Sequence, residues 1–258
     1  MNYLKNIYNY RHLILTLAGK EIKIKYKSAL LGWLWSILQP LLLMLIFSVI
    51  FTWIIKMQGI KNFPIFLLSA LLPWFFFNMS LSSAVSSIID NANLIKNVCF
   101  PYEIIPISVV MANFFNFLIS LGLLLIFIIL SKIYPTIYFI FLPAVVVFEF
   151  IFVLGICLAV SSLQTMFRDV KYIVELLLIA WFYASPVFYP LSFVPQKFRF
   201  LFYFNPLALF IRIYRDILLY QKPPDWQIFI LAGFSSLVYF IAGILIFNKY
   251  KRSFADVV

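Results

Sequence analysis

The chain has 258 residues, of which 65% are hydrophobic, 20% aromatic and only 11% charged. A soluble domain carries about 25% charged residues, so this chain lacks the polar surface that water requires and is read as a membrane protein. Its net charge of +11 does not indicate a nucleic-acid partner, because the basic residues cluster at the ends of long apolar runs. With one histidine and two cysteines 58 positions apart, the chain offers no metal site.

The N-terminal segment, residues 1–29, predicts an amphipathic helix at the membrane surface. Leu15, Ala18 and Ile22 share one helical face, and Lys20 and Lys23 lie on another. A positive-inside anchor explains this segment, and contact with a cytoplasmic partner is the alternative.

Six long apolar stretches follow, each with about the 20 residues that a helix needs to cross a bilayer. Unsatisfied backbone groups in hydrocarbon cost several kcal/mol, so these stretches are predicted to be helices. The fold class is therefore an all-α membrane protein with six transmembrane helices within residues 30–251. Their approximate bounds are 33–55, 64–89, 104–130, 137–163, 172–190 and 227–248.

The connector between the second and third spans, residues 90–103, is short and mixes polar with apolar side chains. Asp90 or Asn91 is a suitable N-cap and Pro101 a stop, so we predict one short cytoplasmic helix. A simple connector and a docking element for another protein both fit this composition.

The polar side chains within the spans allow two interpretations: they pack between helices, or they line a polar path. The residues concerned are Ser82, Ser86, Asn113, Asn116 and Glu149. Glu149 should not face lipid, because an acidic residue at the centre of a bilayer costs roughly 2.5 to 3.5 kcal/mol on a translocon scale. Three alternatives would relieve that cost: a protonated carboxyl, a hydrogen bond with a neighbouring helix, or a position nearer the lipid headgroups.

The segment 187–225 is too apolar for a solvated loop, and its prolines forbid a continuous span. We predict re-entrant or interfacial helices that begin at Pro195 and at Asn205-Pro206. Arg212 and Asp216 are one turn apart and are predicted to neutralise each other. The sequence of this segment is consistent with a static lid and with a movable external gate.

Six crossings place both termini on the same side of the membrane. That side carries 12 of the 20 Lys and Arg residues, so the positive-inside rule predicts that both termini are cytoplasmic. No GxxxxGK[ST] motif occurs among the seven glycines, and neither HExxH nor GxSxG is present. The chain is therefore not expected to hydrolyse nucleotide or to be an enzyme, and we predict no catalytic residue, cofactor or metal.

Four segments together resemble the type-2 ABC transporter permeases, in particular the O-antigen (Wzm) and teichoic acid (TagG) exporter subunits. The resemblance covers almost the whole chain. The segments are LLGWLWSILQPLL at 30–42, MFRDVKYIVEL at 166–176, SPVFYP at 185–190 and NPLALFIRIYRD at 205–216.

This resemblance implies a homodimeric channel that works with two copies of a separate ABC nucleotide-binding subunit. In such permeases the cytoplasmic helix between spans two and three couples to the ATPase, and the N-terminal helix contacts the same partner. The implied coupling residues are Asp90, Asn91, Lys96, Asn97, Phe100, Pro101, Tyr102 and Glu103. Helices at about 195–220 form the external gate. The implied gate residues are Pro195, Asn205, Pro206, Arg212, Arg215 and Asp216.

The resemblance further implies export of a glycan on an undecaprenyl-type lipid across the bacterial inner membrane. The nearest alternative is a type-2 permease for a drug or lipid, and a more distant one is a membrane enzyme acting on polyprenyl-linked sugars.

Overall fold

The computed structural model describes residues 9–27, 31–54, 62–98, 100–251 and 254. Residues 1–8 and 28–29 of the predicted N-terminal helix lie outside this set. In chain order the α-helices are α1 (Arg11–Tyr26), α2 (Trp35–Val49), α3 (Phe63–Ala84), α4 (Ser87–Asp90), α5 (Ala92–Asn97), α6 (Ile104–Leu130), α7 (Leu142–Met166), α8 (Val170–Ala184), α9 (Pro206–Leu218) and α10 (Trp226–Tyr250). A π-helical turn, Ile50–Ile54, extends α2, and 3₁₀ turns cover Gly32–Leu34, Ile137–Phe141, Leu191–Phe193 and Gln196–Phe204.

The described part of the chain contains helices and no strands, which confirms the predicted all-α membrane fold. Five helices are long and apolar enough to cross a membrane: α2 with its π-helical extension, α3, α6, α7 with its preceding 3₁₀ turn, and α10. Helix α8 has 15 residues, about 22 Å of rise, which is shorter than the ~30 Å hydrocarbon core.

Helices α7 and α10 run in the same direction and pack along their length. Phe141, before α7, contacts Trp226 at the start of α10, and further along Phe152 contacts Tyr239. Two parallel helices that both cross the bilayer require the chain between them to return to its starting side. Helix α8 lies in that stretch and runs antiparallel to α3, with Phe182 against Trp74 and Trp181 against Phe77.

The two glycines at the α7–α10 crossing bring the backbones into direct contact. A Cβ on Gly243 would lie 2.0 Å from the carbonyl oxygen of Gly155, and a Cβ on Gly155 would lie 2.5 Å from the Cα of Phe240. No side chain larger than hydrogen fits either position. Small residues at helix crossings are typical of membrane bundles, where close van der Waals packing drives association.

Helix α3 is the central element of the bundle, and most of its side chains are buried. By contrast, Pro40 is the buried residue of α2, and Val174 and Leu178 are those of α8. Helices α2 and α8 therefore leave one flank of the single chain open, whereas α3, α7 and α10 surround α9.

Helix α1 packs on α6. Ile14 and Ala18 are buried, whereas Leu15 is half exposed in the single chain. The contact with α6 decides which residues of α1 are covered by protein, and the position of the apolar face at the membrane surface stays a prediction.

Candidate functional site

The first and last described helices meet the α4–α5 connector at one end of the bundle. Lys20 Nζ on α1 donates to Asn91 Oδ1 at 3.2 Å, and Lys251 Nζ pairs with Glu103 Oε1 at 3.0 Å. Phe254 packs on the ring of Tyr102. Burial raises the pKa of the Glu21 carboxyl on α1, an effect that the adjacent Lys20 ammonium opposes.

The predicted single helix over residues 90–103 is wrong in its extent. The structure has two short helices, α4 and α5; α5 ends at Asn97, and the next residue, Val98, is extended. Pro101 accounts for part of this change, because a proline disfavours helical backbone at the residue before it.

The proposed coupling residues divide into an exposed and a buried group. Asp90, Lys96 and Asn97 are exposed, whereas Phe100 and Glu103 are buried. The partly buried members are Asn91, Pro101 and Tyr102. The exposed residues of this segment are thus neighbours in sequence of residues whose side chains are packed into the bundle.

At the opposite end, Asn205 joins α8 to α9. Its Oδ1 accepts hydrogen bonds from the backbone N–H groups of Leu207 and Ala208 at 3.1 and 3.4 Å, and from Trp181 Nε1 at 2.8 Å. Its Nδ2 donates to Ser185 Oγ at 3.0 Å. Pro206 takes the first helical position, so the predicted cap and start of α9 are confirmed.

Pro195 precedes the 3₁₀ turn Gln196–Phe204, so a helical turn does begin there, in 3₁₀ rather than α geometry. Helix α9 is buried from Pro206 to Leu218 apart from a partly exposed Arg212. A buried helix between two segments too short to span the bilayer is what a re-entrant element requires, and the position of α9 in the membrane stays a prediction.

The predicted ion pair between Arg212 and Asp216 is wrong. Arg212 Nη2 pairs with Asp225 Oδ2 at 3.3 Å, and Asp216 Oδ1 pairs with Lys222 Nζ at 3.2 Å. Helical spacing alone favoured the local pair, but the chain after α9 folds back and presents closer partners.

Arg215 is buried on the side of α9 that faces α3. Its Nη2 donates to the carbonyl of Val187 at 2.7 Å, and its Nε and Nη2 lie 3.4 Å from the carbonyl of Phe66. The guanidinium also stacks 3.4 Å from the centroid of the Phe66 ring. No carboxylate lies within ion-pair distance of it among the residues that the structure describes.

Glu149 is fully buried on α7 and is hydrogen-bonded by helix α9. Tyr214 Oη on α9 donates to Glu149 Oε2 at 2.7 Å. The predicted hydrogen bond from a neighbouring helix is thus confirmed, and Glu149 takes part in packing between helices.

The polar stripe of α6 borders a small cavity, about 80 Å³, between α1, α2, α3 and α6. Asn113 Oδ1 accepts from Lys25 Nζ at 3.3 Å, and Asn116 also lines this space. Ser120 Oγ approaches the carbonyl of Ser36 at 3.5 Å, and Pro40 cannot satisfy this carbonyl within α2 because it has no N–H.

Ser82 lies in the last turn of α3, at the end that leads into the α4–α5 connector, and Ser86 follows that helix. Ser82 is exposed and donates to Asn78 Oδ1 at 3.3 Å, whereas Ser86 is partly buried. Ser82 borders a second, larger space.

That space is a groove of about 470 Å³ between α2, α3 and α8 on the open flank of the chain. Its aromatic lining residues are Phe47, Trp74, Phe75, Phe182 and Tyr183, and its polar ones Asn78, Ser82 and Glu175. Sequence reasoning did not single out these aromatics, because 20% of the chain is aromatic. The spacing of Asn78 and Ser82, one helical turn apart on α3, was the available signal.

The architecture is that of a membrane-transport subunit: a helical bundle with the short buried helix α9 at one end, a short exposed helix at the other, and an aromatic groove on its flank. Residues 12–219 match the family described as ABC-2 type transporter. The chain therefore belongs to this family, which confirms the resemblance seen in its motifs.

Individual relatives are similar over three quarters of the chain or more. An O-antigen export system permease protein from Myxococcus xanthus is 34% identical, covering 98% of this chain and 97% of the relative. A protein of the same name from Klebsiella pneumoniae is 32% identical, covering 95% of this chain and 94% of the relative. A polysialic acid transport protein from Escherichia coli is 26% identical over 76% and 77%.

Proposed function

We propose that this chain is the membrane subunit of an ATP-driven exporter of lipid-linked polysaccharide in the bacterial inner membrane. The observation that carries the proposal is its end-to-end similarity to O-antigen export permeases. Because the sequence has no P-loop, ATP hydrolysis is proposed to belong to a separate ABC subunit. Two copies of each subunit would form the exporter, with both termini of this chain in the cytoplasm.

The aromatic groove is the proposed wall of the glycan path. The C–H faces of sugars pack on aromatic rings, while Asn78, Ser82 and Glu175 offer hydrogen bonds to hydroxyl groups. A second copy placed against α2 and α8 would turn this open groove into an enclosed passage. It would also cover the flank that is least buried in the single chain.

Coupling is proposed to run through α5. Lys96 and Asn97 face outward, where the ATPase would bind, whereas Ile95 and Phe100 are packed into the core beside them. Packed interiors transmit displacement because they have little free volume. The adjacent helix α4 packs on α3, α6 and α7, so movement of α5 would reach these helices through α4.

The test is surface display of the glycan in cells that lack this gene. We expect intracellular accumulation of the glycan in the deletion strain, and its return to the surface with the wild-type chain. Lys96→Glu should insert normally yet restore less than about a tenth of display, because charge reversal disrupts a charged docking surface.

Lys132→Glu is the matched control, since Lys132 is an exposed lysine on the opposite end of the bundle, and it should restore display fully. Glycan that reaches the surface without this chain or another exporter would reject the proposed function. Full display with Lys96→Glu would reject α5 as the docking element.

A further inference from the structure

A cavity of about 490 Å³ separates the 190–203 segment from α9, at the end of the bundle away from the described termini. Its charged lining residues are Arg199, Arg212, Arg215, Asp216 and Lys222, and aromatic ones are Phe66, Phe202, Tyr203 and Tyr220. Four basic side chains thus share the cavity with one acidic side chain.

Two of the four cations have no carboxylate partner among the described residues. Arg199 is held by backbone carbonyls, with its Nε 2.9 Å from the oxygen of Val194 and its Nη2 3.2 Å from that of Ser192. Arg215 is held in the same manner by Val187 and Phe66 and is 5% exposed.

These contacts leave one terminal nitrogen of each guanidinium, Nη1, without an acceptor in the described part of the chain. For Arg215, which is buried, the lack of a counter-ion is costly, and a bundle of this kind keeps such a group only where something offsets that cost. Carbonyl oxygens fix the orientation of both side chains but do not neutralise them.

We infer that this cavity binds a phosphate-bearing headgroup, and that its source is the diphosphate of the lipid carrier. The paired N–H groups of arginine match phosphate oxygens in geometry as well as charge. The aromatic side chains beside the arginines provide surface for the first sugar. The identity of the carrier rests on the proposed function, whereas the anion site rests on the cavity and its arginines.

Binding of radiolabelled inorganic pyrophosphate to the purified full-length chain in phosphatidylcholine nanodiscs tests the site. The wild-type chain should bind, and Arg199→Gln should weaken binding about tenfold or more, since hydrogen bonds to a charged group are lost. Arg199 is exposed, so this variant is expected to fold. Arg215→Gln should have a similar or larger effect if it folds.

Lys197→Gln is the matched control, because Lys197 is on the same 3₁₀ turn as Arg199, is exposed and does not line the cavity. It removes the same charge from the same end of the bundle and should bind as the wild type does. No binding by the wild-type chain, or equal weakening by Arg199→Gln and Lys197→Gln, would overturn the site.

Competition separates the two sources of such a headgroup. Undecaprenyl diphosphate should displace pyrophosphate at lower concentrations than phosphatidylglycerol does, and the reverse order would overturn the carrier assignment. Binding is measured without the ATPase or glycan. A chain that binds but does not export would therefore reject the proposed function alone, and one that exports but does not bind would reject this site alone.

Discussion

Single buried polar side chains connect α9 to the rest of the bundle. Glu149 on α7 and Tyr214 on α9 are both buried, and their hydrogen bond at 2.7 Å links two helices that are 65 residues apart in sequence. The second carboxyl oxygen of Glu149, Oε1, is buried and has no hydrogen-bond partner among the described residues. The Tyr214 hydroxyl is thus the contact that satisfies this acid.

Replacement of Tyr214 by Phe should destabilise the protein by about 1–3 kcal/mol, because it leaves the buried Glu149 side chain unsatisfied. Thermal unfolding of the purified chain in lipid nanodiscs measures this change. Glu149→Gln should cost less than Tyr214→Phe, since an amide keeps an acceptor for the hydroxyl and is neutral.

Tyr239→Phe serves as the control for this prediction. Tyr239 is a partly buried tyrosine whose ring contacts Phe152, and that ring contact survives the substitution. A midpoint for Tyr214→Phe equal to that of Tyr239→Phe would show that the hydrogen bond to Glu149 does not stabilise the fold.

At the scale of elements, the parallel pair of α7 and α10 has the most extensive packing in the bundle. Its closest approach is at Gly155 and Gly243, where backbone meets backbone. A Cβ at this crossing cannot be accommodated by a rotamer change, since the atom it meets belongs to the main chain. The two helices would have to separate and lose van der Waals contact along their length.

Gly243→Ala should therefore destabilise the protein by about 1–3 kcal/mol or more, the usual cost of overpacking a tight interface. The unfolding midpoint in nanodiscs and the yield of folded protein measure the effect. Gly122→Ala is the control, because nothing lies within 4 Å of a Cβ at that position in α6. It should be neutral or slightly stabilising, as alanine is the better helix former. Equal midpoints for the two variants would contradict the close crossing.

The whole molecule has two chemically distinct ends. One holds α1, the α4–α5 connector and the end of α10, joined by Lys20–Asn91 and Lys251–Glu103 contacts. The other holds the 3₁₀ turns and α9, with the basic cavity between them. The parallel course of α7 and α10 requires an odd number of crossings between them, which supports six crossings in total.

Single cysteines should label from opposite sides of the membrane according to this arrangement. In intact spheroplasts a membrane-impermeant maleimide should modify Lys132→Cys and Lys197→Cys, but should modify Asn93→Cys and Asp169→Cys only after lysis. All four positions are exposed in the single chain.

The background for labelling is Cys99→Ser, with Cys157 retained because it is buried. The background chain itself should not react, and this is the control. Reaction of Asp169→Cys in intact spheroplasts would place both ends of α7 on one side and contradict the topology. Fusion of a reporter after Val258 provides an independent check, with activity expected on the cytoplasmic side alone.

Several features of this protein were accessible from local sequence. The long apolar runs predicted α3, α6, α7 and α10, because the bilayer acts as a solvent whose thickness and polarity constrain each segment separately. Asn205-Pro206 predicted the start of α9, since a cap and a first-position proline act within one turn. The need of Glu149 for a partner followed from its charge and depth alone.

Other features depended on residues that are far apart in the chain. The partners of Arg212 and Asp216 come from the segment after α9, and the covered face of α1 is chosen by α6. The aromatic groove and the basic cavity exist because three or more segments enclose them.

Sequence by itself determined that this chain is a helical membrane protein and carries no nucleotide-hydrolysing motif, since these properties depend on composition and short-range pattern. Tertiary structure alone decided which charges pair, which faces remain open and where cavities form. Those outcomes depend on distances between side chains that only the folded backbone sets.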